Sequence, residues 1–555
     1  MKTKRNRIPI LLLCCAVLPA AVQAEDFTFT TNNGAIIITA YIGSDSDVII
    51  PATINDLPVT SIADIAFEFC GRLTSVTIPD SVTSIGNGAF DLCRNLTTIT
   101  IGNSVTNIGD YAFESCWLLN NVTIPNSVTS IGDRAFYNCA NLTNVTILDG
   151  VTCIGEAVFD RCSSLASVTI PNSVTSIGNS TFVSCSSLTS VTIPNSITSI
   201  GDHAFYNCAS LTNATIPNSV TNIGEAVFEE CPSLTSVALP DSVISVGDYA
   251  FEDCTGLTNV IIGNGVINIG HETFEVCTSL AMINVEASNS SYISVAGVLF
   301  NHGQTTLVNY PPGQVAATYA IPNCVTNIGD YAFSTCSLTD VMIPNSVTSI
   351  ADAAFFACPR LMSVTIPDSV TSIGNGVFYY CVKLTSVTIP GSLTSIGRSA
   401  FNFCFSLTNV VIPNSVTSIG QGAFANCKSL TSVYFEGNAP SADPGAFGYD
   451  NATVYYLPGT TGWDTTFCGL PTALWTLPYP VVLDSYDTGF GVQTNCFGFT
   501  IFWATNISVV VEACTDLANP VWQPVQTNIL TDGSCFFSDP QWTNYPGRFY
   551  RLRSP

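Results

Sequence analysis

Apolar residues recur along most of the chain with a period of 23 residues. The stretch from Leu73 to Cys93 reads LTSVTIPDSVTSIGNGAFDLC, and closely similar text fills two long blocks. Its clearest marker is a phenylalanine followed three residues later by a cysteine, as in Phe90 and Cys93. A fixed period of this length with apolar residues in register predicts a repeat solenoid, in which successive units stack on each other.

The pattern inside one unit predicts its elements. Leu73, Val76 and Ile78 are spaced to point inward from a short strand of a parallel sheet. A proline followed by Asn or Asp then predicts a turn, and two further apolar positions predict a second short extended segment. A glycine and the Ala-Phe-x-x-Cys text predict a one-turn helix that faces the core. Because no unit can bury its apolar face alone, the units are expected to fold only as a stack.

The phenylalanine and cysteine columns are the predicted structural spine. Its first full members are Phe90, Cys93, Phe113, Cys116, Phe136, Cys139, Phe159, Cys162, Phe182 and Cys185. Fifteen cysteines share this position, and we interpret them as buried free thiols. Disulfides between neighbouring units are the alternative, but parallel Cβ vectors give them poor geometry. Cys468, Cys496, Cys514 and Cys535 lie outside the column and could form one or two disulfides.

The acidic residues that often follow the glycine have two interpretations. The first is that each carboxylate caps the N-terminus of the one-turn helix, where a side-chain oxygen accepts from free N–H groups. The second is a calcium-binding ladder of carboxylates, but the dense oxygen cluster of a calcium loop is missing from the pattern. Asparagine replaces the acid in several units, for example at Asn87 and Asn179, and this favours capping.

Changes in the pattern predict the domain boundaries. Residues 1–24 are a signal peptide, 25–47 an N-terminal β cap, 48–280 a first repeat block, 281–320 an inserted β-hairpin island, 321–437 a second repeat block, 438–478 a closing cap and linker, and 479–555 a small β-sandwich-like module. The leader prediction rests on Lys2, Lys4, Arg5 and Arg7 before an apolar run, with a small-residue cleavage site after it. Later runs are too short to predict a membrane span. We therefore expect a secreted or cell-surface protein.

Composition narrows the possible functions. Only 10% of the residues are charged, and the formal net charge is −25, so binding to nucleic acid is not expected. The chain has three histidines and neither a G-x-S-x-G nor an H-E-x-x-H motif. We therefore predict no catalytic residues, no cofactor and no metal site. Enzyme activity in the C-terminal module is a remote alternative.

The exposed positions of the predicted strands are the candidate binding face. In many units they carry Ser or Asn followed by Thr, and in a few units they become apolar. The candidates are Asn121, Thr123, Asn144, Thr146, Ser190, Thr192, Asn213, Thr215, Ile261, Met342 and Tyr434. An open face of this kind suits broad contact with a protein or an extended polymer more than a small-molecule pocket. The alternative is that threonine is simply favoured at exposed strand positions.

The recurring text VTIPNSVTSIGDxAFxxC resembles the BspA-type leucine-rich repeats of bacterial surface proteins. The resemblance covers about residues 48–436, and the island is also similar to one in such proteins through GVLFN, TTL and YPPG. It implies a secreted or cell-surface, non-enzymatic binding scaffold, in some cases an adhesin, whose partner is an extracellular protein or polysaccharide. A purely structural surface or matrix component is the alternative function, and ice binding by the threonine rows is a distant one.

Overall fold

The computed structural model describes residues 24–475, 481–482, 491–493, 496–503, 507–517, 520–545 and 547–553. The predicted signal peptide therefore lies outside the described residues, except that Ala24 begins a short 3-10 helix, Ala24–Asp26. The chain forms two compact units, Met1–Ile197 and Thr198–Pro555. Both contain stacked parallel strands, which confirms the predicted repeat solenoid.

The first unit begins with an antiparallel hairpin of Phe27–Asn32 and Ala35–Tyr41. Its turn is Asn33-Gly34, where both residues have positive φ, 49° and 78°, a conformation that these residue types tolerate well. The second hairpin strand pairs in parallel with Leu57–Ile62, and Thr53–Ile54 pairs with the latter strand antiparallel. The hairpin thus continues one sheet of the repeats and ends it with an antiparallel edge.

Two parallel sheets follow in the first unit, with one strand of each sheet from each repeat. The first sheet contains Asp47–Ile49, Ser75–Thr77, Thr98–Thr100, Asn121–Ile124, Asn144–Ile147, Ser167–Thr169 and Ser190–Thr192. The second contains Leu57–Ile62, Ser84–Ile85, Asn107–Ile108, Ser130–Ile131 and Cys153–Ile154, and Ser176–Ile177 is a further short strand. Equivalent residues lie opposite each other in neighbouring strands, such as Thr123 and Thr146. The 23-residue period is therefore also the register of the sheets.

The second unit repeats this arrangement in shorter sheets. Strands equivalent to those of the first sheet are Asn213–Thr215, Ser236–Leu239, Asn259–Ile262, Met282–Val285, Thr318–Ala320, Asp340–Met342, Ser363–Thr365, Ser386–Thr388, Asn409–Ile412, Ser432–Phe435, Thr453–Tyr456 and Leu470–Leu474. Strands equivalent to those of the second sheet are Ser199–Ile200, Asn222–Ile223, Ser245–Val246, Asn268–Ile269, Asn327–Ile328, Ser349–Ile350, Ser395–Ile396, Ser418–Ile419 and Ser441–Ala442.

The core of each unit contains the stacked phenylalanine column. Phe113, Phe136 and Phe159 are fully buried, and their ring centroids lie 5.1 and 5.7 Å apart with nearly parallel planes. Stacked aromatic pairs contribute about 0.5–1.5 kcal/mol each beyond the burial of their area. The ten predicted spine residues are all fully buried.

The cysteine column is bonded to the same spine. The Cys116 thiol donates to the carbonyl oxygen of Phe90 at 3.3 Å, and the Cys139 thiol donates to that of Phe113 at 3.2 Å. Each thiol thus reaches back to the phenylalanine of the preceding repeat. Every cysteine in the described part of the chain is a free thiol.

The predicted one-turn helices are wrong in their geometry, because the segments around the phenylalanines form tight turns. Tyr111 and Ser115 have positive φ, 58° and 53°, which a right-handed helix does not allow. The Glu114 N–H donates to the carbonyl three residues back. The Phe113 N–H donates to the carbonyl of Ala135 in the next repeat at 2.8 Å. Stacking brings that carbonyl within reach, so the turns are stabilised between repeats.

The island forms a small antiparallel meander of Tyr292–Val295, Val298–Asn301 and Thr306–Asn309. Its last strand pairs in parallel with Asn327–Ile328, so the meander joins the second sheet. The 23-residue pattern predicts no spine residue in this segment, yet Tyr310 lies 23 residues before Phe333 and stacks on it at 5.3 Å. The island therefore also supplies a layer of the core.

The closing cap continues the stack of the second unit. Phe447 stacks on Phe424 at 5.2 Å, and Thr453–Tyr456 pairs in parallel with Ser432–Phe435 and with Leu470–Leu474. The short strand Thr466–Phe467 folds back antiparallel on Leu470–Leu474.

The predicted small C-terminal β module is confirmed, and its strands are antiparallel. One sheet contains Val481–Val482, Gly491–Gln493, Cys496–Phe502 and Ser534–Asp539, and the other contains Ile507–Cys514, Gln523–Leu530 and Phe549–Arg553. Phe499, Val511 and Phe537 belong to the core between them, and Trp542–Asn544 is a 3-10 helix. Across the described residues, no helix has the length and apolar character needed to cross a lipid bilayer.

Candidate functional site

The candidate binding face has its polar side chains on the outside of the first sheets. In the first unit, Asn121, Thr123, Asn144 and Thr146 are exposed, and the strands between them are in register. Ser190 and Thr192 continue this row. Asn213 and Thr215 have the same exposure in the second unit. The repeats therefore place a row of threonine hydroxyls and a row of Asn or Ser side chains along this face of each unit.

The threonines of this face differ from other exposed threonines in their hydrogen bonds. The Thr129 hydroxyl donates to the carbonyl oxygen of Thr106 at 3.1 Å, and the Thr152 hydroxyl donates to that of Thr129 at the same distance. Within the described residues, the hydroxyls of Thr123 and Thr146 have no protein partner. The threonines beside the second sheet are thus structural, whereas those of the candidate face remain available to a ligand.

The three apolar candidates have different environments. Met342 is 56% exposed, and Ile261 is half-buried beside Ala238 and Asn284 of the adjacent strands. Tyr434 is also half-buried, and its ring stacks on Tyr455 at 5.1 Å and lies against Trp475 at 4.8 Å. Tyr434 is therefore part of an aromatic group in the closing cap, whereas Met342 is the most open of the three.

The acidic residues after the glycines form a ladder of hydrogen bonds between repeats. The capping interpretation is therefore wrong, because each side chain accepts from an N–H of the next repeat and not from one of its own turn. The Asp110 N–H donates to Asn87 Oδ1 at 2.9 Å, and the Asp133 N–H donates to Asp110 Oδ1 at 2.9 Å. The Glu156 N–H donates to Asp133 Oδ1 at 2.8 Å. Each side chain thus accepts from the equivalent backbone N–H one repeat later. Asn and Asp are interchangeable there because both supply the accepting oxygen.

Sequence reasoning missed an acidic cluster beside the island in the second unit. One oxygen from each of Glu252, Glu272 and Glu275 lies within 4.8 Å of the others. Burial, with Glu272 next in effect, raises the pKa of Glu275 to about 9, and the Ser334 hydroxyl donates to Glu275 at 3.4 Å. Burial and the nearby Glu229 raise the pKa of Glu252 to about 7. Neighbouring carboxyls of this kind share protons at neutral pH.

The cluster borders a cavity of about 200 Å³ between the repeats and the strand Thr306–Asn309. His271 and Asp330 line the same cavity, with 3.6 Å between His271 Nδ1 and Asp330 Oδ2. The three glutamates are the residues that could hold a divalent cation, which would have to displace protons from them. The 23-residue pattern does not single out this cluster, because Glu252 and Glu275 directly follow the column phenylalanine, where other units also carry an acid, as at Glu114, Asp160 and Glu229.

The sequence profile described as BspA type leucine-rich repeat region matches residues 60–189, 175–296 and 321–453, in six copies. These residues make up more than half of the chain. The chain belongs to the BspA-type leucine-rich-repeat family. The resemblance inferred from VTIPNSVTSIGDxAFxxC is thereby confirmed.

Solved leucine-rich-repeat structures are similar to this BspA-type chain. One is a leucine-rich repeat protein from Bacteroides ovatus, with 28% identity and a TM-score of 0.53 over 71% of this chain and 95% of that one. Another is a leucine rich cell surface protein from Faecalibacterium prausnitzii, with 28% identity and a TM-score of 0.38 over 81% of this chain and 96% of that one. No curated protein matches the chain by sequence.

In this leucine-rich-repeat protein the predicted site residues fall into two separate groups. The polar candidates lie on the exposed first-sheet face, whereas the spine residues lie inside the stack with no access to solvent. The spine is thus suited to hold the units together, and the open face is suited to contact with other molecules.

Proposed function

We propose that this protein is a secreted or cell-surface binding scaffold without catalytic activity, and that its first-sheet face contacts an extracellular protein or polysaccharide. The observation that carries the proposal is the difference between the two sets of threonines. Thr129 and Thr152 use their hydroxyls within the protein, whereas those of Thr123 and Thr146 have no partner among the described residues. A row of unused donors on a rigid sheet is arranged to bind a repeating or extended ligand.

Four further features support a surface location and a binding role. The N-terminal 24 residues have the charge and hydropathy of an export signal. The chain belongs to a family named for leucine-rich repeats, and a similar solved protein is described as a cell surface protein. Few charged groups on the exposed strands also lower the desolvation cost of a broad contact.

Binding can be measured with the protein immobilised and a panel of purified matrix proteins, mucin and polysaccharides. The test pair replaces Thr123 and Thr146 by valine, and the matched control replaces Thr129 and Thr152 by valine. One lost hydrogen bond of about 1 kcal/mol weakens binding roughly fivefold, so the test pair should weaken binding at least this much. The control pair should lower stability and leave the affinity unchanged.

Two results would contradict the proposal. If no member of the panel binds, the alternative of a purely structural surface component is favoured. If the control pair lowers affinity as much as the test pair, the first-sheet face is not the contact surface. Export can be checked separately by fusing residues 1–24 to a reporter that is active only outside the cytoplasm.

A further inference from the structure

The distribution of basic residues in the second unit is uneven. Residues 198–359 contain no lysine or arginine, although the segment is rich in acids. The next stretch, residues 353–435, carries Arg360, Lys383, Arg398 and Lys428 against a single acid, Asp368. In a chain with a formal net charge of −25, this stretch is locally positive and should attract anionic groups.

The same stretch carries aromatic side chains outside the core column. Phe356 and Tyr379 stack at 5.4 Å with an angle of 4° between their planes. Phe403 meets Tyr379 edge-on at 5.5 Å, and Phe405 meets Tyr380 edge-on at 6.0 Å. None of the five is fully buried, and Tyr380 is 47% exposed. They lie in or just after the turns that follow the phenylalanine column.

One cation, Lys428, lies over one of these rings, and a second, Arg398, lines a cavity beside two others. Lys428 Nζ is 5.1 Å from the ring centroid of Phe405. Arg398 lines a shallow cavity of about 270 Å³ together with Phe356, Tyr379 and Asp352. Among the described residues, neither cation forms an ion pair. We name this surface the basic-aromatic edge, and it consists of Phe356, Tyr379, Tyr380, Arg398, Phe403, Phe405 and Lys428.

Ring orientation decides which anionic partner suits this surface. Phe356 and Tyr379 cover one face of each other, Tyr331 lies at a tilt against Phe356, and Phe403 meets Tyr379 edge-on. These rings therefore present edges more than a flat platform for stacking a base or a sugar. Ring edges carry partial positive charge and therefore complement carboxylates, as the two cations do. Tyr380, Phe403 and Phe405 pack against one another with their ring centroids 5.8–6.0 Å apart, and the exposed part of Tyr380 adds apolar surface beside the cations. Aromatic residues and arginine also dominate the binding energy of protein interfaces.

We propose that the basic-aromatic edge binds an acidic segment of a partner protein. Carboxylates of the segment pair with Arg398 and Lys428, and an apolar side chain of the segment packs against Tyr380, Phe403 and Phe405. This inference rests on the proposed binding function and adds to it a second surface with a defined partner chemistry.

The test uses the full protein and short fluorescent peptides whose binding is followed by anisotropy. The first peptide repeats Glu-Glu-Leu, the second replaces leucine by serine, and the third replaces glutamate by lysine. Only the first should bind well, and its affinity should fall with added salt. Changing Arg398 and Lys428 together to glutamate should weaken it about tenfold or more.

The matched control is a charge-reversing substitution at another cation–aromatic pair, outside the basic-aromatic edge. Arg94 lies 4.5 Å from the ring of Trp117 in the first unit, and Arg94→Glu should leave peptide binding unchanged. Tyr380→Ser, which leaves both cations in place, should weaken the first peptide and bring its affinity close to that of the serine peptide. Circular dichroism of each variant confirms that the repeats remain folded.

Several results would overturn the proposal. Equal binding of the serine peptide would indicate simple attraction of polyanions, and tighter binding of heparin or single-stranded DNA would indicate another class of partner. An equal effect of Arg94→Glu, or no binding of the first peptide, would also refute it. If the first peptide does not bind but the panel still binds in a way that depends on Thr123 and Thr146, only the proposal for the basic-aromatic edge is refuted. If the peptide binds and no member of the panel does, only the proposal that the first-sheet face is a contact surface is refuted.

Discussion

Asp450 occupies the cysteine position in the last layer of the spine, three residues after Phe447. In the preceding layer the Cys427 thiol donates to the carbonyl oxygen of Phe401 at 3.1 Å. Asp450 is only 9% exposed, and both of its carboxylate oxygens are buried without a hydrogen-bond partner. Burial raises the pKa of Asp450 from 3.8 to about 7. An ionised Asp450 therefore destabilises the end of the stack.

The sign of the pH dependence follows from this raised pKa. Below pH 3.8 the carboxyl is protonated in the folded and the unfolded chain, and its contribution to stability is fully present. As the pH rises from there through about 7, ionisation is easier in the unfolded chain, so stability is lost. At about 1.4 kcal/mol per pKa unit the limit is about 4 kcal/mol. Local relaxation and water penetration around the buried carboxylate lower the expected loss to about 2 kcal/mol.

The perturbation is Asp450→Asn, which keeps the shape and removes the ionisable group. Asp450→Cys is the second variant, because it restores the thiol of the other layers. Urea unfolding can be followed between pH 4 and pH 9 by tryptophan fluorescence, to which Trp463, packed against Phe435 in the same region, contributes. The difference in free energy of unfolding between each variant and the wild type should rise by about 2 kcal/mol from pH 4 to pH 9, in favour of the variant. Parallel pH profiles for the wild type and Asp450→Asn would refute the reasoning.

Three further predictions concern the stack itself. Tyr310→Phe should raise the free energy of unfolding by about 1 kcal/mol in urea titrations, because the Tyr310 hydroxyl is buried without a partner. Gly132→Ala should lower it by about 1–3 kcal/mol in the same titrations, because the new Cβ would lie 2.5 Å from the Asp110 nitrogen. Iodoacetamide should modify the exposed Cys153 and Cys324 in the native protein and the buried column cysteines only in denaturant, as checked by peptide mass mapping.

The stack itself was predictable because its cause is repeated in the sequence. Phe136 and Phe159 are 23 residues apart in sequence and stack in neighbouring layers. The period of the sequence therefore also gives the register between layers. Tyr310 escaped prediction because it stands alone, without a cysteine three residues later and without the usual text before it. Its ring nevertheless fits the column because tyrosine and phenylalanine share their apolar body. A search for any aromatic residue at the 23-residue interval would have found it.

The turns and the ladder were harder to predict, because their hydrogen bonds connect different repeats. A glycine, an acid and an apolar pair are read locally as the start of a helix. In the structure, Asp110 Oδ1 accepts from the N–H of Asp133, which is 23 residues away. Local propensity gives no information on such a partner. Only the stacking of the layers brings these groups together, so these hydrogen bonds can be predicted only once the fold is known.

One proposed contact surface consists of positions that are the same in most repeats, and the other consists of positions that vary between repeats. This difference explains why the sequence pattern predicted only the first. Thr123 and Thr146 belong to the repeated text, so a consensus of the units reveals their face. Tyr380 and Phe405 occupy positions that vary from unit to unit, and a consensus removes them. Variable positions on a repeated frame are free to specialise, since the layers remain stacked whatever these side chains are. Departures from the repeat, mapped together with the uneven distribution of lysine and arginine, therefore point to specific binding surfaces better than the repeat itself does.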